Sequence, residues 1–182
     1  ADGDFADGQL RQLTINSKFP NPSGMLNYCD ARGVKVVPLI EPWLEPGDPL
    51  HGEANGLLHF IKDNGGNTVT RNIYVGAVSW FDFSSSPMQV WWRNKIVNWF
   101  NTLSFDGIWN DLTEPEGGDQ IPHNALMWID GKFGTSTTDS RRWWSNERNY
   151  FGLRCSKTSY DAMLQKNPNL RPFVLSRSGN AG

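Results

Sequence analysis

Asp111 and Glu114 stand three residues apart in the stretch Asp106-Gly107-Ile108-Trp109-Asn110-Asp111-Leu112-Thr113-Glu114-Pro115. Two carboxyl groups so close, in different surroundings, can hold different protonation states, which acid, base and nucleophilic chemistry require. A carboxylate at a strand end is carried on a rigid element, the placement a nucleophile or charge stabiliser needs. An aspartate there also serves as an ordinary cap or turn residue. Glu41, which ends the apolar run 34–40, is a second strand-terminal carboxyl group, with a plain polar terminus as its simpler reading. Arg177 follows Pro172-Phe173-Val174-Leu175 and is flanked by Ser176 and Ser178. No histidine is near these serines in sequence, so hydrogen bonding at a strand end is expected of them rather than a triad.

These groups need elements to hold them. Asn21-Pro22-Ser23-Gly24 leads into a short helix over 25–32 with Met25, Leu26 and Cys29 on one side and Gly33 closing it. The near-continuous hydrophobicity of 34–40 suits a strand of a parallel sheet covered on both faces. Ser86 as N-cap and Pro87 in the first turn open a helix in which Met88, Trp92, Ile96, Trp99 and Leu103 recur at three- and four-residue spacing. Residues 105–111 read as a strand that Pro115 stops from continuing far. A long helix follows from about 150 to 165, and then a buried strand over 172–175.

Strands alternating with helices give a parallel sheet with helical crossovers, and chemistry at the strand C-termini. The fold class is α/β, as part of a TIM barrel comprising roughly its middle strands. Three full strands are legible, with the tail of another before residue 10, whereas a barrel needs eight strands and typically about 250 residues. A complete small open α/β domain is the competing reading. Connections 48–75 and 116–147 are over-long for that and suit loops dressing an active face. No repeat or linker divides the chain, so 1–182 reads as one segment of a catalytic barrel domain.

The run Gly107-Ile108-Trp109-Asn110-Asp111-Leu112-Thr113-Glu114-Pro115 resembles the nucleophile signature of glycoside hydrolase family 31, W-x-D-M-N-E-P. Arg171-Pro172-Phe173-Val174-Leu175-Ser176-Arg177-Ser178-Gly179-Asn180-Ala181-Gly182 resembles the family's R-P-F-V-L-T-R-S-G-F-A-G strand and loop. Trp80-Phe81-Asp82-Phe83-Ser84 is similar to its W-P-D-F-T segment, and Val36-Val37-Pro38-Leu39-Ile40-Glu41-Pro42 to its apolar strand ending in Asp-Pro. Asp2-Gly3-Asp4-Phe5-Ala6-Asp7-Gly8 can be laid on its D-I-D-Y-M-D-G run.

The resemblance implies a retaining α-glycosidase acting on α-linked glucosides or oligosaccharides, with Asp111 as the nucleophile that forms a covalent glycosyl-enzyme. Arg177 would bind hydroxyls of the sugar at the cleavage point, Trp80 would form an apolar wall, and Asp2 would bind hydroxyls on the far side. Glu41 stands where the family has Asp. Leu112 and Thr113 replace the family's Met and Asn, changing the pocket floor and the hydrogen bonds around Asp111. Trp43, Trp109 and Glu114 complete the substrate-binding set so implied. The family's acid/base, an Asp in a W-x-G-D-N segment, comes shortly after the Arg177 loop and has no counterpart in 1–182, so this segment alone is expected to be inactive, with the remainder of the barrel supplied by further sequence. A transglycosylase of the same family and a non-catalytic sugar-binding relative are the alternatives.

Composition bounds the partners. The 182 residues include Trp 9, Phe 10 and Tyr 4, enough apolar material for a packed core. Lys+Arg 17 against Asp+Glu 19 give a net charge of −2 without a basic run, so nucleic acid is not an expected partner. Neither a membrane-crossing stretch nor a secretory signal is visible, and the chain reads as soluble with its compartment open, secretion included. Cys29 and Cys155 read as buried thiols on helices. His51, His59 and His123 form no zinc pattern, and Asp48, Glu116, Asp119 and Asp130 read as solvated loop charges with an oxygen-rich calcium site as alternative. Without a glycine-rich phosphate loop, no cofactor is expected, nor a metal. Among the tryptophans, Trp92 and Trp99 read as core, Trp43 and Trp80 as open to a pocket, and Trp143 and Trp144, after Arg141-Arg142, as either an outer subsite or a seal.

Overall fold

The computed structural model describes residues 3–8, 11–129, 132–133 and 143–179. A single turn of 3-10 helix, Gly3–Phe5, brings Phe5 against the rings of Trp99 and Phe105. Helix α1 (Pro22–Asp30) is capped by Asn21, whose side chain accepts from the Gly24 N–H, and Gly33 at φ +69° turns the chain out of it. Cys29 on α1 is only half-buried, a correction to the expected buried thiol, whereas Cys155 is 2% exposed. Strand β1 (Leu39–Ile40) follows, shorter than the expected 34–40. Residues 36 and 38 nonetheless hydrogen-bond the next parallel strand: the Val36 and Pro38 carbonyls accept from the Asp106 and Trp109 N–H groups at 3.0 and 2.9 Å.

The excursion between β1 and the helix opening at Ser86, of which 48–75 is expected as loop, is structured. It holds β2 (Trp43–Leu44), α2 (His51–Gly56), β3 (Thr70–Ile73) and β4 (Gly76–Trp80), forming an antiparallel sheet in the order β2-β4-β3. The β3–β4 pair closes through Tyr74-Val75, with Ile73 opposite Gly76 at φ +107°. Its turn lacks the Asn-Gly type of signal in the turn itself, and β3 has exposed residues at its centre, so neither composition nor alternation gives it away. The hairpin is anchored by aromatic packing: Phe60 stacks on Phe81 at 5.6 Å, and Phe81 meets Trp92 at 4.8 Å.

Helix α3 (Ser86–Thr102) is as expected except for its cap. Ser85, not Ser86, accepts from the Met88 N–H, and Pro87 sits in the first turn. Met88, Trp92, Ile96, Trp99 and Leu103 are all buried. Strand β5 (Ile108–Asn110) comes next, then β6 (Trp128–Ile129) and β7 (Lys132–Phe133) as a small hairpin. Helix α4 (Trp144–Lys166) begins about a turn and a half before the expected start near 150, because Trp144 is drawn into the core and donates its indole N–H to the Gly118 carbonyl at 3.2 Å. Trp144 therefore seals a loop, which decides between its two expected roles. Strand β8 (Val174–Ser176) completes the described elements. No helix among the described residues is long and apolar enough to cross a membrane.

Strands β1, β5 and β8 form a parallel sheet in that spatial order, with α3 preceding β5 and α4 joining β5 to β8. This is the local order of a TIM barrel, present among the described residues as three strands and not as a closed ring. In this segment Phe173 and Leu175 are 54% and 49% exposed, in place of the expected buried strand; among the described residues β8 pairs only with β5 and borders an open apolar concavity of about 470 Å³ shared with Val36, Phe105 and Trp109. At the foot of the β5–β8 ladder, Ile108 donates to the Phe173 carbonyl at 3.0 Å. A Cβ on Gly107 would fall 2.8 Å from that same oxygen and 2.8 Å from the Phe173 ring. Gly107→Ala in the full-length protein is therefore expected to cost about 1–3 kcal/mol by overpacking, measured as a lowered urea midpoint.

Candidate active site

Asp111 is placed by the ladder. Its N–H donates to the Ile40 carbonyl at 3.0 Å, extending the β1–β5 pairing one residue past the regular strand. Along β5, Ile108 and Asn110 are fully buried, and Asn110 accepts from Ser159 of α4 at 2.7 Å. Alternation sends Trp109 and Asp111 to the other face, and Trp109 borders the apolar concavity. Asn110 pairs with Ser176, so the next residues, Asp111 and Arg177, emerge side by side at the strand C-termini. The Arg177 Nε lies 3.4 Å from Asp111 Oδ1, and its Nη2 lies 2.5 Å from Glu114 Oε1. The Asp111 side chain is 15% exposed and that of Arg177 49%; the Asp111 Oδ1 that faces the guanidinium is buried, while Arg177 itself reaches solvent.

Past Asp111 the chain turns sharply. Leu112 takes φ +51° and is 3% exposed, so it packs beneath the turn while its strained backbone swings Glu114 toward Arg177.

Glu41 stands beside Asp111 because Ile40 pairs with Asn110. Its backbone N–H donates to Gln12 Oε1 at 2.7 Å, and its carboxyl group is enclosed, with Oε2 buried and without a hydrogen-bond partner. Burial above all, then the charges of Asp111, Glu116 and Glu114, opposed by Arg177, push its pKa up to about 8. At neutral pH Glu41 thus keeps its proton beside Asp111. Glu116, expected as a solvated loop charge, acts on this group, and Asp48 is likewise no surface charge: it is 4% exposed and accepts from the Gln12 and Leu50 N–H groups at 2.9 and 2.7 Å.

The structure brings together Asp111, Glu114, Arg177 and Glu41 among the sequence candidates. The expected open placement of Trp43 and Trp80 is corrected. Both are 0% exposed because they pair directly across β2 and β4 and the loop at Gly117 lies over Trp80, where a Cβ would come 3.3 Å from the indole. Their indole N–H groups are buried without partners. Asp2 and the segment 180–182 lie outside the described residues, as do Asp130, Arg141 and Arg142. Gln12, which holds the Glu41 backbone and reaches Asp48, was not signalled by the sequence, since a lone glutamine in a polar stretch carries no pattern.

Comparison with known proteins follows this geometry. The description "Glycosyl hydrolases family 31 TIM-barrel domain" matches residues 1–182. Neutral alpha-glucosidase AB of Dictyostelium discoideum is 28% identical over 193 residues, covering 100% of this chain and 19% of that protein. Among solved structures, a glucosidase II alpha subunit bound to Glc1Man2 superimposes with a TM-score of 0.80 at 23% identity, over 97% of this chain and 19% of that one. A family 31 alpha-glucosidase from Bacteroides thetaiotaomicron gives 0.70 at 26% identity, over 97% and 27%. The chain thus spans about a fifth of the length of the first of these relatives. A match over every residue, on a sheet of barrel topology, places the chain in glycosyl hydrolase family 31, as part of its TIM-barrel domain.

Proposed function

We propose that the full-length protein is a retaining α-glycosidase acting on α-linked glucosides or oligosaccharides, and that residues 1–182 are one segment of its catalytic barrel. The observation that carries this reading is the pairing of Asp111 with Arg177 at adjacent parallel strand ends, 3.4 Å apart, in a chain of this family. In the first step an Asp111 oxygen forms a bond to the anomeric carbon as the glycosidic C–O bond breaks, and the leaving oxygen takes a proton from the acid/base. In the second, water attacks the same carbon, its proton passes to that base, and the bond to Asp111 breaks. The acid/base is assigned to the part of the barrel that follows the Arg177 loop in the family pattern.

Arg177 and Glu114 offer donors and acceptors for the hydroxyls of the bound ring, and Arg177 orients Asp111. The acidic surroundings from Asp111, Glu114 and Glu116 favour the positive charge that develops on the sugar in an oxocarbenium-like transition state. Trp109 and Leu112 are assigned to the floor of the sugar pocket, while Trp43 and Trp80, enclosed across β2 and β4, support the site through packing. Asp2 completes the substrate-binding set. Incubating the full-length protein with a fluorinated α-glucosyl donor, followed by peptide mass spectrometry, is expected to find the sugar on Asp111. A label on another carboxylate, or none, overturns the assignment.

A further inference from the structure

Thr113 is 1% exposed, and its hydroxyl lies 3.0 Å from Ser176 Oγ and 2.7 Å from Ser178 Oγ. A hydroxyl has one hydrogen to donate and two lone pairs to accept with, so Thr113 can serve both serines at once. Ser176 and Ser178 are alternate residues at the end of a strand and turn to the same side, away from Arg177, which projects toward Asp111 and Glu114. Behind the three hydroxyls runs the backbone of α4. A Cβ on Gly152 would overlap Ser178 Oγ and come 2.9 Å from the Thr113 carbonyl oxygen. The segment that carries Asp111 and the segment that carries Arg177 are therefore joined side chain to side chain, with the backbone of α4 close behind at Gly152.

We infer that Thr113, Ser176 and Ser178 form a hydroxyl clamp that positions Arg177 against Asp111. The inference rests on the reading of Asp111 and Arg177 as the reacting and sugar-binding groups. The clamp acts through Arg177. It fixes the distance between the two strand ends, and so the point from which the guanidinium reaches both carboxylates. Two hydrogen bonds on a single buried oxygen make Thr113 the residue on which the arrangement turns, because its loss frees both serines together.

In the full-length protein, Thr113→Val removes the hydroxyl and keeps the branched shape. It is expected to lower kcat/KM for an α-glucoside by about 10- to 100-fold, the scale of an ångström of misplacement at a reacting pair. Thr113→Ser, which restores the hydroxyl, recovers most of that loss. In an Arg177→Ala background the same Thr113→Val change costs little more, about 2-fold or less, because the residue it acts through is gone. A crystal structure of Thr113→Val shows the Arg177 guanidinium moved away from Asp111. Ser178→Ala, which deletes one partner, gives the same displacement in smaller measure and decides the matter if Thr113→Val does not fold. An unmoved guanidinium, or the full loss persisting without Arg177, overturns the clamp. If the unaltered protein neither hydrolyses α-glucosides nor labels at Asp111, the glycosidase reading falls and the clamp stands or falls on the guanidinium position alone.

Discussion

Asp111→Asn in the full-length protein lowers kcat on an aryl α-glucoside by about 10⁴-fold or more, the scale seen when a member of a covalent catalytic unit is removed. The amide keeps the shape of the side chain and the backbone hydrogen bond to Ile40, so folding is retained, which a near-unchanged melting temperature verifies. It lacks the negative oxygen that would bond to the anomeric carbon, and no neighbour can take over. Glu41 is protonated at neutral pH, and Glu114 is engaged by Arg177. Turnover within about tenfold of the unaltered protein would show that Asp111 is not the nucleophile, because a group used only for binding costs that little.

The second large effect is on stability and concerns Glu41. Its pKa is about 8 in the folded protein against 4.5 ordinarily, so between those values the folded state holds a proton that the unfolded chain has released. Stability then falls as pH rises across that window, by up to about 1.4 kcal/mol per pH unit, and the full cost is present above about pH 8. Glu41→Gln cannot ionise. Its stability relative to the unaltered protein should be nearly level below pH 5 and greater by a few kcal/mol at pH 8 to 9, measured as the difference in denaturant midpoint at each pH. A difference that does not change with pH would show that the carboxyl group is not held neutral by its surroundings.

Much of the site could be read from the chain because strand ends are written in composition. Apolar runs that stop at Glu41, Asp111 and Arg177 mark where a parallel sheet delivers polar groups, and their neighbouring registers then bring these three together. Helix α3 was equally legible, since five buried positions recur at its period. What escaped was set by contacts distant in sequence. The β2-β4-β3 sheet is held by aromatic packing on α3, and its strand β3 shows no clean alternation. Trp43 and Trp80 looked like pocket walls because they follow strands, but a direct cross-strand pair and an overlying loop enclose them. The neutral state of Glu41 depends on its burial above all and then on carboxylates near in space, Asp111, Glu116 and Glu114, about 70 residues away in the chain.

The bare backbone of α4 at Gly152 gives the helix a role other than covering the sheet. Beyond this close approach to the hydroxyls behind the arginine, its far end is fastened as well, Lys166 donating to Asn101 Oδ1 of α3 at 2.6 Å. A substitution at that fastening that shifts α4 is therefore expected to disturb the Thr113, Ser176 and Ser178 hydroxyls, which Gly152 approaches from behind.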